Sequence, residues 1–386
     1  MLILRVILAG VAVVALAARP GTASGAAVAL CAATLDAALG AAVAPAIRIV
    51  APMVVFLAAA LTLAGTLERS GLGERVAATL ARRARGSSLT LYAYVCMTCA
   101  ALTATVSLDG AVVLMVPVLL ALKHRHGAPF SPLFLGMVVV ANASSIAVPQ
   151  GNPTNLLIIE RLGIATTTFL AHMLAPGLLA AVLCAGSVAV SERRRLALPY
   201  APSPTPPQPL SRSEREAVAA FVVAALAGWV APLLGIAPWW PFSAAVALVL
   251  IAGRRRPAAI VPWQIGIQIA ATLVVVQALG VPHLGGLGST LPALLLVAVL
   301  TGGAAALLNN LPVGASAVAL ITAPPLGYAA SVGLAVGSLA TPQGSVATLL
   351  ASELAGADAP KLSVRRLAPL AIVAVLAATL TLWTGL

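Results

Sequence analysis

Two short polar motifs interrupt long apolar stretches of this 386-residue chain. Val-Pro-Gln-Gly-Asn occupies residues 148–152, and Thr-Pro-Gln-Gly-Ser occupies residues 341–345. Proline removes a backbone donor and breaks a helix, while glycine permits unusual φ angles. A helix broken inside a membrane exposes N–H and C=O groups, which must meet protein or line a cavity. A matched pair of breaks therefore predicts the central binding site of a transporter.

The side chains around both breaks are mostly neutral hydrogen-bonding groups. The half-helix after each break is expected to present free N–H groups, and the half-helix before it free carbonyls. Such a set suits a small inorganic or ionic solute. A pair of proline kinks that serve packing alone is the other interpretation. The predicted site comprises Ser107, Asp109, Ser145, Gln150, Gly151, Asn152, Thr154, Asn155, Asn309, Asn310, Thr341, Gln343, Gly344 and Ser345.

Asp109 is the one acid in this set. Of the ten acidic residues in the chain, only Asp36 and Asp109 lie deep within apolar segments. A carboxylate inside a membrane costs roughly 2.5 kcal/mol or more and usually has a function. Asp109 is therefore expected to hold a proton or a cation, although it could also cap a helix. Asp36 lies in a plain Ala-rich segment, and the sequence assigns it no specific role.

Composition places the chain in a lipid bilayer. It is 61% hydrophobic and 8% charged, with a mean hydropathy of +1.06, whereas soluble domains have about 25% charged residues. Many apolar runs of about 17–25 residues predict an all-α polytopic membrane protein with about ten transmembrane helices. Residues 89–122 and 291–323 have polar centres and are too long for one crossing. Each is predicted to form a re-entrant hairpin, with two full crossings as the alternative.

The order of segments predicts two inverted repeats, residues 1–191 and 216–386, joined by a cytoplasmic linker at 192–215. This topology puts 19 of the 22 Lys and Arg residues on one side, which the positive-inside rule makes cytoplasmic. The net charge of +12 is thereby explained without a nucleic-acid partner. Both termini are then expected on the outer face of the cell (inner or plasma) membrane. The first apolar segment is predicted to be a retained helix, because its removal would break the repeat.

The sequence contains no motif that indicates an enzyme. HExxH, Walker A, GxSxG and Rossmann motifs are absent from the sequence, so neither catalysis nor a cofactor is predicted. Cys96 and Cys99 have a soft-metal spacing, but a lone CxxC within an apolar helix is better interpreted as small apolar packing. No resident metal is predicted.

Four motifs together resemble the ion transporter superfamily, and in particular its arsenite efflux pump (arsenical pump membrane protein) branch. They are Ser-Leu-Asp-Gly-Ala-Val-Val-Leu-Met-Val-Pro at 107–117, Ala-Asn-Ala-Ser-Ser-Ile-Ala-Val-Pro-Gln-Gly-Asn-Pro-Thr-Asn at 141–155, Asn-Asn-Leu-Pro at 309–312 and Gly-Ser-Leu-Ala-Thr at 337–341. In that branch the first hairpin typically has Asn where this chain has Leu108. Asp109 matches the hairpin acid of the family, and Asn309 and Asn310 match its hairpin asparagines.

The resemblance implies efflux of arsenite or antimonite as a neutral hydroxide in exchange for protons. It also implies a possible homodimer and, in some cases, a separate ATPase subunit. Paired Ser-Asn-Thr triplets, typical of sodium-coupled carboxylate carriers, are absent from the hairpins. A Na⁺/H⁺ antiporter and an organic anion (dicarboxylate-type) carrier of the same superfamily stay open as alternatives, with H⁺ or Na⁺ as the coupling ion.

Overall fold

The computed structural model describes residues 2–19, 22–68, 71–201, 211–234, 239–252, 263–280 and 287–386, with 209, 236 and 237 as isolated positions. All regular elements within these residues are helices, as predicted for an all-α protein. Three parts of the predicted topology lie outside them: Arg69, the basic residues at 254–256, and linker residues 202–208 and 210. The proposed repeat boundaries therefore stay predictions.

The described part of residues 2–196 contains nine α-helices, the last of them within the predicted linker. They are α1 (Leu2–Ala18), α2 (Ala23–Ala38), α3 (Ala44–Glu68), α4 (Leu72–Ala84), α5 (Ser88–His126), α6 (Phe130–Ser144), α7 (Pro153–Leu162), α8 (Thr166–Ser191) and α9 (Arg193–Leu196). Local chemistry explains several ends. The Ser87 hydroxyl accepts a hydrogen bond from Thr90 N at the start of α5, and Gly127 and Gly163 end α5 and α7 in the left-handed conformation.

The described part of the chain from Arg212 onward contains eight more α-helices, the first of which begins within the predicted linker. They are α10 (Arg212–Val230), α11 (Trp239–Ala252), α12 (Trp263–Ala278), α13 (Leu291–Leu308), α14 (Asn310–Leu320), α15 (Pro324–Val336), α16 (Val346–Ala355) and α17 (Val364–Thr384). Ser211 and Glu214 form a reciprocal capping box at the start of α10.

Six helical segments of the described chain are long and apolar enough to cross a membrane. They are Ala44–Leu67, Ser88–His126, Phe130–Ala147, Thr166–Ser191, Leu291–Leu308 and Val364–Thr384. Other apolar helices are shorter, among them α1, α2, α12 and α14. Together they make the chain a multi-pass α-helical membrane protein.

Helix α5 is the first predicted hairpin. Its path turns at Ser107, which has φ 84° and ψ 164°. Ser88 Oγ, at the start of α5, donates to Leu198 O at 2.5 Å, and Arg195 Nη1 donates to Ser131 Oγ, just beyond its end, at 3.2 Å. Leu198 and Arg195 are one helical turn apart. Both ends of α5 therefore lie on one face of the molecule, as expected both for a re-entrant hairpin and for two full crossings that return to the same side.

Helices α13 and α14 form the second hairpin. They meet at Asn309, which has φ 89° and ψ 149°. This backbone conformation is almost restricted to glycine, yet Ser107 and Asn309 adopt it at the tips of the two hairpins. Apart from these two, Arg85 is the only non-glycine residue with positive φ among the described residues.

Charged groups from both halves meet on the face where α5 begins and ends, here called the basic face. Arg125 Nη2 pairs with Glu74 at 2.5 Å, and Arg366 Nη1 pairs with Glu192 at 2.7 Å. Asp358 accepts hydrogen bonds from Lys123 and His124, which hold the pKa of its carboxyl below the ordinary value. Residues 72–84 form the amphipathic helix α4, which packs its alanines and Leu80 on α5.

The end of α17 lies on the opposite face. From the Arg366–Glu192 pair α17 runs a further 18 residues to Thr384, about 27 Å. There the Gly385 carbonyl lies 3.0 Å from His172 Nδ1, in the second turn of α8.

Asp36 has a partner that the sequence did not indicate. It is fully buried, and its Oδ1 lies 3.2 Å from Arg5 Nε. Arg5 also donates to the carbonyls of Leu39 and Ala278, which joins α1 to α2 and α12. Asp36 is therefore part of an ion pair that holds the first two helices to the second half.

Candidate solute-binding site

The first break forms between α6 and α7. Two 3₁₀ turns, Ser145–Ala147 and Pro149–Gly151, replace the α-helix there. The Asn152 Oδ1 accepts from Thr154 N at 3.1 Å and from Thr154 Oγ1 at 2.9 Å, while its Nδ2 donates to Ser145 Oγ at 3.1 Å. Asn155 Nδ2 donates to the carbonyls of Ser145 and Val148. The side chains therefore satisfy most of the backbone groups that the break frees.

The second break forms between α15 and α16. The 3₁₀ turn Gly337–Ala340 ends α15, and α16 begins after Ser345. Unlike Asn152, Ser345 makes no capping hydrogen bond. The first N–H of α16, that of Val346, instead donates to Asn310 Oδ1 of the second hairpin at 3.5 Å. Asn152 caps α7 and Pro153 has no N–H, so the expectation of free N–H groups is not met at the first position of either helix.

A matching glycine shapes each break. A Cβ added to Gly151 would lie 2.4 Å from the Ser145 carbonyl oxygen, and one added to Gly344 would lie 2.1 Å from the Ser338 carbonyl oxygen. In both cases the carbonyl belongs to the residue six positions earlier. Real Cβ atoms do not approach backbone so closely, so both breaks require glycine at this position.

Each break is hydrogen-bonded to the hairpin tip of its own half. Gln150 Nε2 donates to Ala104 O at 2.9 Å, five residues before Asp109. In the second half Asn309 Nδ2 donates to Gln343 O at 3.0 Å and Asn310 N donates to Gly344 O at 2.8 Å. Thr341 Oγ1 donates to Ala306 O at 2.5 Å.

The two halves interlock around these breaks. Helix α7 packs against α14, and α16 packs against α5, so the helix after each break lies on the hairpin of the other half. A Cβ added to Gly314 of α14 would lie 2.8 Å from Thr154 Cγ2 of α7. Asn142 Nδ2 of α6 lies 3.4 Å from Thr348 Oγ1 of α16, in hydrogen-bonding geometry. Both breaks therefore belong to one central region of the bundle.

Several buried polar atoms in this region have no hydrogen-bond partner among protein atoms. They are Asn142 Oδ1, Ser144 Oγ, Asn155 Oδ1 and Ser345 Oγ. Buried polar atoms are usually paired, and each exception calls for an explanation such as a ligand or a water. All four belong to residues within or beside the two breaks, and all four are neutral.

The Asp109 carboxylate is also without a partner. Its residue is half-buried, and it makes no hydrogen bond or ion pair with any described residue. A role as helix cap was the alternative expectation, but the Ser107 hydroxyl accepts from Gly110 N at 3.4 Å and occupies that position. Asp109 is therefore an unpaired acid two residues after the strained tip.

Two details differ from the predicted site. The Gln150 side chain is buried, but the Gln343 side chain is exposed and makes no hydrogen bond, so only the backbone of Gln343 joins the site. Asn142 lies within the motif at 141–155 but was not included in the predicted site, although its side chain bridges the two halves. The sequence feature that could have identified Asn142 is an amide side chain one helical turn before Ser145, within the same polar run.

Metal-binding chemistry has no support in this region. The part of the chain that the structure describes contains no group of three or more His, Cys, Asp or Glu side chains able to hold a metal ion. Cys96 and Cys99 are buried, and Cys99 Sγ donates to Met137 O at 3.4 Å.

Paired helix breaks, re-entrant hairpins and unpartnered polar atoms at membrane depth define a polytopic membrane transporter. The citrate transporter family model matches residues 3–333, which is most of the chain. The chain belongs to this family, and it is a transporter and not an enzyme.

Curated relatives match shorter regions. The silicon efflux transporter LSI3 of Oryza sativa subsp. japonica is 31% identical over 129 residues, which is 33% of this chain and 26% of that protein. An uncharacterized transporter of Mycobacterium bovis is 26% identical over 121 residues, or 31% of this chain and 28% of that protein. An uncharacterized transporter of Mycobacterium tuberculosis is 27% identical over 131 residues, or 34% and 30%. The matched part of this chain thus spans less than a third of each relative.

Proposed function

We propose that this transporter exports a small uncharged hydroxide, arsenite or antimonite, in exchange for protons that bind Asp109. The observation that supports this most directly is the chemistry of the unpartnered groups. The four buried atoms around the breaks are neutral amide and hydroxyl oxygens, and Asp109, just after the first hairpin tip, is an acid without a partner among the described residues.

A neutral solute fits the hydrogen-bonding environment of both breaks. The hydrogen bonds there join amides, hydroxyls and backbone carbonyls, and none of them involves Lys, Arg or His among the described residues. A polyanion bound at this depth would need compensating positive charge, because an unpaired buried charge is costly. A hydroxide with several O–H groups needs only acceptors and donors.

Asp109 supplies the coupling in this proposal. An unpaired carboxylate within the membrane is costly when ionised, so a proton or a sodium ion is favoured at it. Alternate protonation and deprotonation on the two sides of the membrane would link solute export to inward proton flow. Asp109 lies beside the strained tip of the first hairpin, and the first break is hydrogen-bonded to that hairpin. This position supports the coupling role.

The relatives support an efflux direction. The rice protein is named for silicon efflux. In neutral water silicon and trivalent arsenic both occur as small uncharged hydroxides, so a site built from neutral hydrogen-bonding groups suits either element. Antimonite has the same chemistry.

Asp109→Asn tests the coupling role. The variant keeps the size of the side chain but cannot release a proton, so we expect arsenite resistance in a sensitive host to fall to the level of the empty vector. Glu353→Gln, which removes an exposed carboxylate of α16, is the control and should keep resistance. Membrane abundance of both variants is measured in parallel. Full resistance with Asp109→Asn would refute the coupling role.

An organic anion carrier, such as a citrate transporter, is the second candidate, and the family match favours it. A Na⁺/H⁺ antiporter is the third, because Asp109 is equally able to exchange Na⁺ for H⁺. Transport into everted vesicles, measured side by side with arsenite, citrate and Na⁺ and with a pH-sensitive dye, separates the three. Uptake of citrate without uptake of arsenite would replace the proposal with the second candidate.

The cellular setting belongs to the same proposal. We place the transporter in the cell (inner or plasma) membrane with the basic face in the cytoplasm. A homodimer and a separate ATPase subunit are the partners that the family resemblance implies. Resistance conferred without any added ATPase would show that proton flow alone is sufficient.

A further inference from the structure

Two clefts lined with basic residues open on the basic face. One lies between α6 and the start of α17, and its Arg195 and Arg366 are both paired with Glu192. The other, here called the α4–α5 cleft, has a volume of about 760 Å³ and is lined by Arg82, Arg83, Ala84, Arg85, Ser87, Thr90 and Tyr94. Only the second cleft presents arginines without an acidic partner.

We propose that the α4–α5 cleft binds the phosphate group of an anionic phospholipid, with an acyl chain lying along α5. This site is separate from the central breaks and does not depend on the transported solute.

The headgroup chemistry comes from three arginines. Arg82, Arg83 and Arg85 are exposed, and none of them forms an ion pair with another residue of the described structure. Guanidinium groups bind phosphate oxygens through two parallel hydrogen bonds, and they do so more specifically than ammonium groups. The acid at the other end of α4, Glu74, is already paired with Arg125.

Packing holds these arginines in place. Helix α4 buries its alanines against α5, so its last turn is fixed relative to the start of α5. Tyr200 reinforces the junction, since its hydroxyl donates to Ala81 O at 2.7 Å and its N–H donates to Gly86 O at 3.1 Å. The cleft is therefore a fixed arrangement of charges.

The surface below the cleft favours a lipid over a soluble anion. An exposed stripe on α5 runs from the cleft into the membrane-spanning segment. It begins at the adjacent Leu89 and Thr90 and continues at spacings of three and four residues through Ala93, Met97 and Ala101. Leu89 is 54% exposed and Met97 is 58% exposed. The stripe is about 18 Å long, close to half the thickness of a bilayer. A soluble phosphate would leave this apolar surface unused, whereas a phospholipid covers it.

Lipid binding to the purified full chain tests the proposal. Native mass spectrometry in detergent gives the affinity for phosphatidylglycerol and, for comparison, phosphatidylcholine. We expect phosphatidylglycerol to bind more tightly, and we expect R82Q/R83Q/R85Q to weaken that binding about tenfold or more. The control R193Q/R194Q/R365Q removes the same charge from exposed positions of the same face and should change the affinity less than threefold.

Further measurements separate a lipid site from other sources of phosphate. Soluble glycerol 3-phosphate at equal concentration should not displace the lipid, and Leu89→Gln with Met97→Gln should weaken lipid binding although all three arginines are kept. Size-exclusion profiles confirm that each variant is folded. Equal losses in the two triple variants, equal affinity for the two lipids, or displacement by glycerol 3-phosphate would each overturn the proposal.

Discussion

Two residues hold strained backbone where the structure turns sharply inside the membrane. Ser107 and Asn309 have φ angles of 84° and 89°. Such conformations cost about 1–3 kcal/mol for residues with a Cβ and persist where the surroundings enforce them. Each residue also uses its side chain locally, since Ser107 Oγ accepts from Gly110 N and Asn309 Oδ1 accepts from Leu311 N. At both positions the strained backbone thus occurs together with a helix cap, in which the side-chain oxygen accepts a hydrogen bond that an apolar side chain could not accept.

Substitution of Ser107 separates strain from capping. Ser107→Gly and Ser107→Ala both remove the hydroxyl, but only glycine relieves the positive φ. We expect Ser107→Gly to be the more stable of the two by roughly 1 kcal/mol, or about 2 °C in melting temperature. Thermal unfolding of the purified variants measures this difference. Equal melting temperatures would show that the tip relaxes to another conformation.

At the scale of elements, each helix break depends on one close backbone approach. The chain folds back so that Gly151 meets the Ser145 carbonyl and Gly344 meets the Ser338 carbonyl. Hydrogen bonds then join each break to the hairpin of its own half. In the first half Gln150 of the break donates to the hairpin, and in the second half Asn309 and the backbone N–H of Asn310 in the hairpin donate to the break. The broken helix and the hairpin of each half thus form one unit.

Alanine at either glycine tests this arrangement. Gly151→Ala and Gly344→Ala are expected to displace the break and abolish transport, because the new Cβ would overlap a carbonyl oxygen. Gly186→Ala in α8 and Gly303→Ala in α13 are matched controls, since a Cβ there meets nothing within 4 Å. These controls should keep transport and gain about 0.5–1 kcal/mol of stability from reduced backbone freedom. Vesicle transport by Gly151→Ala equal to that of its controls would contradict the arrangement.

At the scale of the whole molecule, charge separates the two faces. Ion pairs on the basic face connect Lys123 to Asp358, which joins the two predicted halves, and Glu192 to Arg366, which joins the predicted linker to the second half. The end of α17 lies on the opposite face beside His172. The positive-inside rule predicts that the basic face is cytoplasmic.

Cysteine labelling tests this orientation. Cys31 is exposed and the other three cysteines are buried, so Cys31→Ser removes the exposed thiol and gives a background with little labelling. We expect a membrane-impermeant maleimide to label Arg194→Cys only in everted vesicles and Leu386→Cys only in right-side-out vesicles. Intact transport in each variant serves as the control. Labelling of both positions from the same side would refute the topology.

Much of the architecture follows from local patterns along the chain. Apolar runs of sufficient length specify membrane helices, and Pro-Gln-Gly specifies the two breaks, because both depend on neighbouring residues alone. The polar centres of two overlong segments likewise indicated the hairpins. The helix at 72–84 does not stand out as an apolar run, because Glu74, Arg75, Arg82 and Arg83 interrupt its apolar residues.

Only the tertiary structure decided which polar groups have hydrogen-bond partners. The sequence placed Asp109, Asn155 and Ser345 in the predicted site, but it could not show that their oxygens lack partners, because pairing depends on residues far apart in the chain. For the same reason the Arg5–Asp36 pair and the bridge from Asn142 to Thr348 were invisible in the sequence. The types of groups at the breaks came from the sequence; the folded packing of one half on the other determined which of them stay free to bind a solute.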